Sequence, residues 1–259
     1  MIIRSEEELN RYQEAATKSM HILRALFEAV KEGTTPLEID QLADQKCEEL
    51  GVTPCFKGVG PKNNQYQWAT CISVNDAVVH GIPDDVPLKK GDLVKIDFGI
   101  NDTGWITDHC FSKSVGKPSQ ADLHLMKTAR QAIQAAAKMA VAGKRTGDLG
   151  AKIQQTVEAA GLSVVKEFVG HGIGRNSLHD QPQLPAHGRP HTGAKLKEGM
   201  VMCVEAQVLD SKKDDIYIED NGWTVRTVDG AKAAMFEYMV VVGKKKPIIL
   251  TNSLDWPLF

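Results

Sequence analysis

The spacing of apolar residues near the N-terminus alternates between three and four, which predicts an amphipathic helix. Ser5 and Glu8 form a capping-box pattern at its start. A second helix is predicted to begin at Thr35 and to run to Leu50, because proline and a capping glutamate follow Thr35 and Gly51 provides a stop. Short β-like runs come next, at 71–74, 92–98 and 105–112.

The chain then repeats this order of elements, beginning with a long helical pattern after Ser119. Gly91 is followed six residues later by Asp97, and Gly199 is followed six residues later by Glu205. Helix–helix–strand order also recurs by chance in many α+β proteins. Because helix stops and acids align together, the repetition favours one α+β unit used twice.

Such a duplication predicts a single domain over 1–259, with halves at about 1–115 and 116–259. We expect a pseudo-twofold α+β fold with an antiparallel or mixed sheet, helices on one face, and a site between the halves.

Two acids of the first half lie in β-like runs joined by a cluster of turn residues. If the turn centres between Asp102 and Thr103, Asp97 and Asp108 become directly opposed cross-strand partners. Opposed carboxylates destabilise a hairpin unless a cation lies between them. The alternative is a register slip that turns one of the pair toward solvent.

Glu205 and Glu237 are lone acids within apolar strands of the second half. Between them, 216–225 is predicted to form a hairpin with a type I′ turn at Asn221-Gly222. A salt bridge is the usual explanation for one buried glutamate, but no Arg or Lys adjoins either residue.

The repulsion among these acids favours a metal site. At an effective dielectric of 20, two like charges ~4–5 Å apart repel by roughly 3–4 kcal/mol. Without cations some of the carboxyls would be protonated. Two divalent ions would balance the charge of Asp97, Asp108, Glu205 and Glu237.

Three histidines are candidates for the same site. His171 lies between glycines, where the backbone can approach a ligand closely, His179 follows it, and His80 precedes Gly81. A lone histidine is more often a surface or core residue, so this pattern is weaker evidence than the acids.

Composition excludes several classes of function. The chain has 259 residues, 42% of them hydrophobic, and a net charge of −2, so nothing draws it globally to DNA or to an anionic membrane. Its five cysteines are odd in number, without a Cys-x-x-Cys pair, which argues against a disulfide framework and a structural zinc site. With no visible signal segment, the cytoplasm is the expected compartment.

These residues stand in motifs that resemble the type I methionine aminopeptidases of the creatinase/aminopeptidase, or pita-bread, family, in their short bacterial form. The resemblance covers nearly the whole chain and is carried by VNDAVVHGIP (74–83), GDLVKIDFG (91–99), ITD (106–108), VGHGIG (169–174), LHDQPQLP (178–185), EGMVMCVE (198–205), EDNGWTV (219–225) and AMFE (234–237). It implies a curved sheet with helices on its outer face.

The resemblance also implies the roles of the site residues. Five metal ligands match, namely Asp97, Asp108, His171, Glu205 and Glu237, and they imply two divalent ions drawn from Co, Mn, Fe(II) and Zn. A hydroxide shared by the ions would attack the first peptide bond, with catalytic roles for His80, His179 and Glu205. His80 and His179 would contact the substrate amide and carbonyl.

The family's activity would be removal of the N-terminal methionine from peptides and nascent proteins. The ribosome is then a candidate partner, and a monomer is expected. Ala206, Tyr238 and Met239 replace the proline, histidine and threonine usual in the family. The run 55–61 lacks the usual aromatic residues, and 63–69 looks inserted. An apolar pocket for methionine is still predicted from Cys55, Cys71, Leu178 and Trp223.

Two other functions stay open. One is another exopeptidase of the same fold, a proline-directed aminopeptidase or dipeptidase, although such relatives usually carry an additional N-terminal domain. The other is a non-enzymatic relative that binds RNA or a protein, although such proteins typically lose metal ligands.

Overall fold

The computed structural model describes residues 1–253 and 255–259. Its helices are α1 (Glu6–Ala29), α2 (Pro36–Glu49), α3 (Gln120–Ala137) and α4 (Thr146–Glu158). Its strands are β1 (Thr53–Pro54), β2 (Thr70–Val74), β3 (Ala77–Val79), β4 (Leu93–Phe98), β5 (Ile100–Asp102), β6 (Trp105–Ile106), β7 (His109–Ser114), β8 (Ser163–Val164), β9 (Val169–Gly174), β10 (Ser177–Pro185), β11 (Val201–Leu209), β12 (Ile216–Ile218), β13 (Val225–Thr227), β14 (Ala233–Val241) and β15 (Ile248–Ile249).

Local capping chemistry predicts the starts of α1, α2 and α3. Thr35 forms a complete capping box with Glu38 at the start of α2, and Ser119 caps α3. At α1, Ser5 accepts a hydrogen bond from the Glu8 amide, but the Glu8 carboxylate accepts from the Arg4 amide rather than from Ser5. The box at α1 is therefore only half formed.

One large antiparallel sheet organises the domain. Its main path runs β10-β9-β11-β14-β7-β4-β2, with β8 beside β11 and β15 beside β14. The helices cover one side of this sheet, with α3 packed on β11 and β14 and α1 in contact with β4. The main hydrophobic core lies between helices and sheet and includes Leu26, Ile96, Phe111, Ile133 and Phe236. The predicted α+β class, with an antiparallel sheet and helices on its outer face, is confirmed.

From the centre of the sheet outward, the first half contributes β7, β4 and β2, and the second contributes β14, β11 and β9. Asp97 on β4 and Glu205 on β11 hold matching places in these two series. The order is the one that a duplicated unit would give. The division into halves stays a prediction.

The predicted pairing of Asp97 with Asp108 is wrong by two residues. Asp97 lies opposite Cys110, and the hairpin that continues from β4 and β7 turns at Thr103-Gly104. Both turn residues have positive φ, 52° and 95°, as a type I′ turn requires. Asp108 is therefore a diagonal neighbour of Asp97 on the same face of the sheet, still within reach of its side chain.

The hairpin predicted over 216–225 is present, since Ile216 pairs with Thr227 and Ile218 with Val225. Its turn is not type I′, because Gly222 has a φ of 77° whereas Asn221 does not have positive φ. The Gly222 amide donates to the Glu219 carbonyl instead, which closes a wider loop.

Within the described part of the chain, none of the helices has the length and apolar character needed to cross a bilayer.

Candidate metal centre

The acidic side chains converge on one face of four neighbouring strands. Glu205 on β11 lies directly opposite Glu237 on β14. Glu237 and Asp97 lie on either side of Cys110, one on β14 and the other on β4. Asp108 precedes β7 by one residue and adjoins the same row. The sheet thus gathers acids that are far apart in sequence.

His171 completes this group from β9. Its Nε2 lies 3.6 Å from Asp108 Oδ2 and 3.8 Å from Glu205 Oε1. Its Nδ1 lies 3.0 Å from the Gly172 carbonyl oxygen. Donation from Nδ1 to that carbonyl would leave Nε2 free to bind a metal, the arrangement usual for metal-ligating histidines.

Several oxygens of the buried carboxyl groups have no hydrogen-bond partner in the described structure. In the described structure Asp97 Oδ1, Asp108 Oδ1 and Glu237 Oε1 are buried without a hydrogen-bond partner. Burial and the neighbouring Asp108 raise the pKa of Asp97 well above its usual range, and burial with Asp108 and Glu205 does the same to the pKa of Glu237. Burial also raises the pKa of Glu205 to about 8.

Orphaned oxygens and raised pKa values identify a centre that is strained by its own negative charge. Divalent cations relieve such strain, and a set of carboxylates with one imidazole suits Mn, Fe(II), Co or Zn. The donor set therefore fits the metal that the sequence predicts.

Gln207 orients one of these acids. Its Nε2 donates to Glu205 Oε2 at 2.7 Å, and its Oε1 is buried without a partner in the described structure. Sequence reasoning missed Gln207, although its place two residues after Glu205 on β11 puts it on the same face.

His80 and His179 lie at the same cavity as the acids. The His179 ring centre is 4.6 Å from that of His171. The His80 ring packs edge-on against Phe168 at 5.3 Å and against Trp223 at 6.2 Å. Burial lowers the pKa of each of these two histidines to about 4, so both are uncharged at neutral pH.

The cavity in front of the acids has a volume of about 230 Å³. Of the predicted pocket residues, Cys71, Leu178 and Trp223 line it, whereas Cys55 packs behind them with its thiol on the Thr107 carbonyl. Apolar lining that sequence reasoning missed comes from Phe56, Val59, Tyr66, Val79 and Phe168.

The expectation that the run 55–61 lacks aromatic residues for the pocket is wrong, because Phe56 of that run lines the cavity. Tyr66, from the stretch that looks inserted, packs its ring 5.1 Å from that of Trp223. Its hydroxyl donates to the carbonyls of Thr70 at 2.8 Å and Gly81 at 3.0 Å. Phe56 joins the same cluster.

The chain is similar to methionine aminopeptidases both in sequence and in structure. The chain is 37% identical over 251 residues to the methionine aminopeptidase of Clostridium perfringens, which covers 97% of this chain and 98% of that protein. It is also similar to the crystal structure of methionine aminopeptidase from Thermotoga maritima, with a TM-score of 0.92, 34% identity, and coverage of 98% of this chain and 100% of that chain.

X-Pro aminopeptidase from Thermotoga maritima shares the fold alone, at 22% identity and a TM-score of 0.74, with coverage of 99% of this chain and 63% of that chain. The model of metallopeptidase family M24 matches residues 10–244, a span that contains every acid and histidine of the centre. The chain belongs to metallopeptidase family M24.

Proposed function

We propose that this protein removes the N-terminal methionine from peptides and nascent proteins. The observation that carries the proposal is the convergence of Asp97, Asp108, His171, Glu205 and Glu237 on one cavity, which apolar side chains also line. The full-length similarity to methionine aminopeptidases supports the same substrate class.

Two divalent ions are proposed for the centre, where Asp97, Asp108, His171, Glu205 and Glu237 would hold them. This number follows from charge, since two ions carry +4 against four carboxylates. When bound, such ions polarise the scissile carbonyl and make water nucleophilic near neutral pH. Co, Mn, Fe(II) and Zn all suit the donors.

Glu205 is proposed as the proton carrier. Its Oε2 is held by Gln207 at 2.7 Å and its Oε1 faces His171 at 3.8 Å, so the carboxylate has a fixed orientation in the cavity. From there it would accept a proton from the attacking water and return it to the leaving amine, the usual role of a general acid–base.

His179 and His80 are proposed to hold the peptide group. Both are neutral at pH 7, so each can present one ring N–H as a donor and the other nitrogen as an acceptor. We assign the donor to the first carbonyl oxygen to His179, because its ring lies beside His171. His80 then contacts the peptide amide.

The apolar walls of the cavity would bind the side chain of the methionine that is removed. Phe56, Tyr66, Cys71, Leu178 and Trp223 surround the space beyond the acids. An unbranched thioether fills an irregular apolar pocket well and makes favourable contacts with aromatic rings. The free thiols, five in number, suit a reducing compartment, and we keep the cytoplasm and a monomer as predictions.

Purified protein loaded in turn with Mn, Fe(II), Co or Zn should release methionine from a Met-Ala-Ser peptide, followed by mass spectrometry. An N-acetylated peptide of the same sequence is the control and should stay intact. Faster cleavage of an Xaa-Pro peptide would favour the proline-directed alternative. No release with any metal, together with RNA binding, would favour the non-enzymatic one.

His179→Ala is expected to retain metal and to lower kcat by about 10²–10³-fold, the cost of removing one donor to a developing oxyanion. Metal content by atomic emission and kcat for Met-Ala-Ser should be measured together. His124→Ala, at an exposed position on α3, is the matched control and should leave both unchanged. Loss of metal from His179→Ala would instead make that residue a ligand.

A further inference from the structure

Cys203 is buried beside the acids of the candidate metal centre. It precedes Glu205 by two residues on β11, so the two side chains share one face of the sheet. Its neighbours across the strands are His171 on β9 and Met239 on β14. The residue is 0% exposed.

The thiol is close enough to share an ion with the acids. One ligand atom from each of Asp108, His171, Cys203 and Glu237 lies within 4.8 Å of the others. Asp108 Oδ1 and Glu237 Oε1 are buried without hydrogen-bond partners in the described structure, which is a second indication that a cation belongs at this point. Sulfur, nitrogen and oxygen around one centre form a ligand set typical of zinc.

Among the other thiols near the centre, Cys55 and Cys110 have different partners. Cys110 Sγ lies 3.6 Å from the Phe111 carbonyl and 3.8 Å from the Met235 carbonyl, and Cys55 Sγ lies 3.5 Å from the Thr107 carbonyl. The Cys203 sulfur instead lies within 4.8 Å of a carboxylate oxygen of Glu237. Of these three, Cys203 is the one directed at a candidate ligand.

We propose that Cys203 supplies a sulfur ligand to the ion held by His171, in addition to the carboxylates. The inference rests on the proposed metal centre but not on the choice of peptide substrate. On binding, the S–H bond breaks, a sulfur–metal bond forms and the proton leaves to solvent, with no change of oxidation state. A sulfur donor shifts the preference of the centre from Mn toward Zn, Co and Fe(II).

X-ray absorption of the zinc-loaded wild-type protein tests this directly. A sulfur scatterer is expected at about 2.3 Å from zinc, the usual Zn–S distance. Its amplitude should correspond to one sulfur per chain. A shell of nitrogen and oxygen alone would overturn the proposal, and because the measurement uses the unaltered protein, it does not depend on any variant folding.

Cobalt substitution provides an independent readout. The Co(II)-loaded protein should show a near-ultraviolet sulfur-to-cobalt charge-transfer band that Cys203→Ser lacks and that Cys110→Ser, a buried thiol of the same row, retains. Cys203→Ser should also lower the ratio of Zn to Mn affinity by on the order of tenfold. A band that persists in Cys203→Ser, or that disappears in Cys110→Ser, would contradict the assignment.

The outcome is separable from that of the proposed function. Metal bound through nitrogen and oxygen in a protein that releases methionine would refute the sulfur ligand and leave the function standing. A sulfur–metal bond in a protein that releases no methionine would do the reverse. Protein that binds no divalent metal would end both.

Discussion

Asp108→Asn is expected to abolish peptide hydrolysis and, at the same time, to stabilise the metal-free protein. The side chain is 4% exposed, and burial raises its pKa to about 7. In metal-free protein at pH 8 its charge therefore opposes folding, and a neutral amide of the same shape removes that cost. With metal the charge is needed, so the same change should remove one or both ions.

Asp108→Asn is expected to raise the stability of the metal-free protein and to lower the activity of the metal-loaded protein. Each unit of pKa shift corresponds to about 1.4 kcal/mol, so metal-free Asp108→Asn should gain on the order of 1 to 4 kcal/mol in its free energy of unfolding at pH 8. Activity should fall on the order of 10³-fold or more, because one of the proposed metal ligands is lost. Urea unfolding in EDTA would measure the stability of the metal-free protein. Metal analysis and kcat would measure the loss of ions and the loss of activity.

Asp102→Asn is the matched control. Asp102 is equally buried, at 4% exposure, but it is paired with Lys18 at 2.8 Å and belongs to the β5–β6 hairpin rather than to the centre. Its loss should destabilise the protein with or without metal and should leave the metal content unchanged. If Asp108→Asn destabilised the metal-free protein as Asp102→Asn does, the idea of a centre strained by its own charge would be wrong.

The parts of the centre that sequence predicts are those fixed by short-range rules. An acid inside an apolar strand shows its own position, and the two-residue period of a strand shows which neighbours share its face. Glu205 and Glu237 were recognisable in this way, and β11 and β14 place them in direct register.

The register of the first hairpin needed one further rule. A type I′ turn asks for positive φ at both central residues, and glycine meets that demand without strain. Gly104 therefore draws the turn to Thr103-Gly104 rather than to Asp102-Thr103, which moves the partner of Asp97 to Cys110. A pattern of acids and turn residues alone does not decide between two adjacent turn centres.

Short-range rules did not predict the residues that long-range packing places at the cavity. Tyr66 and Phe56 come from loop segments with no periodic pattern, and their place at the cavity depends on contacts with Trp223 and the β2–β3 region. Cys203 was missed for another reason. A thiol in an apolar strand has the pattern of an ordinary core residue.

Divalent metal is expected to stabilise the folded protein more strongly as pH rises from about 6.5 to about 8. The lower limit is the ordinary pKa of histidine, and the upper limit is the raised pKa of Glu205. In metal-free protein, burial raises the pKa of Glu205 from 4.5 to about 8 and that of Asp108 from 3.8 to about 7. In this range the folded state holds protons that the unfolded state has lost. The free energy of unfolding therefore falls as pH rises, by about 1.4 kcal/mol per pH unit for each carboxyl that is still protonated.

Other buried groups titrate with the opposite sign. The pKa of His80 and that of His179 are lowered to about 4 and that of His109 to about 3, so these residues raise stability with pH only up to the ordinary histidine pKa, below the chosen range. Burial also lowers the pKa of Lys95 to about 7, which makes metal-free protein more stable as pH rises above that value. Lys95 bonds to two backbone carbonyls and not to an acid of the centre, so we expect its contribution to cancel largely when metal-free protein is subtracted from metal-loaded protein.

The measurement is thus a difference between two unfolding curves at each pH, one in EDTA and one with a fixed free concentration of Mn or Co. A monovalent salt at matched ionic strength controls for screening and should reproduce none of the pH dependence, because buried groups are screened little. Bound cations displace the carboxyl protons, so the difference must rise with pH as long as those protons are held. A difference that stays flat over this range would mean that the carboxyls are already ionised without metal, and the electrostatic reason for placing two cations among them would then be lost.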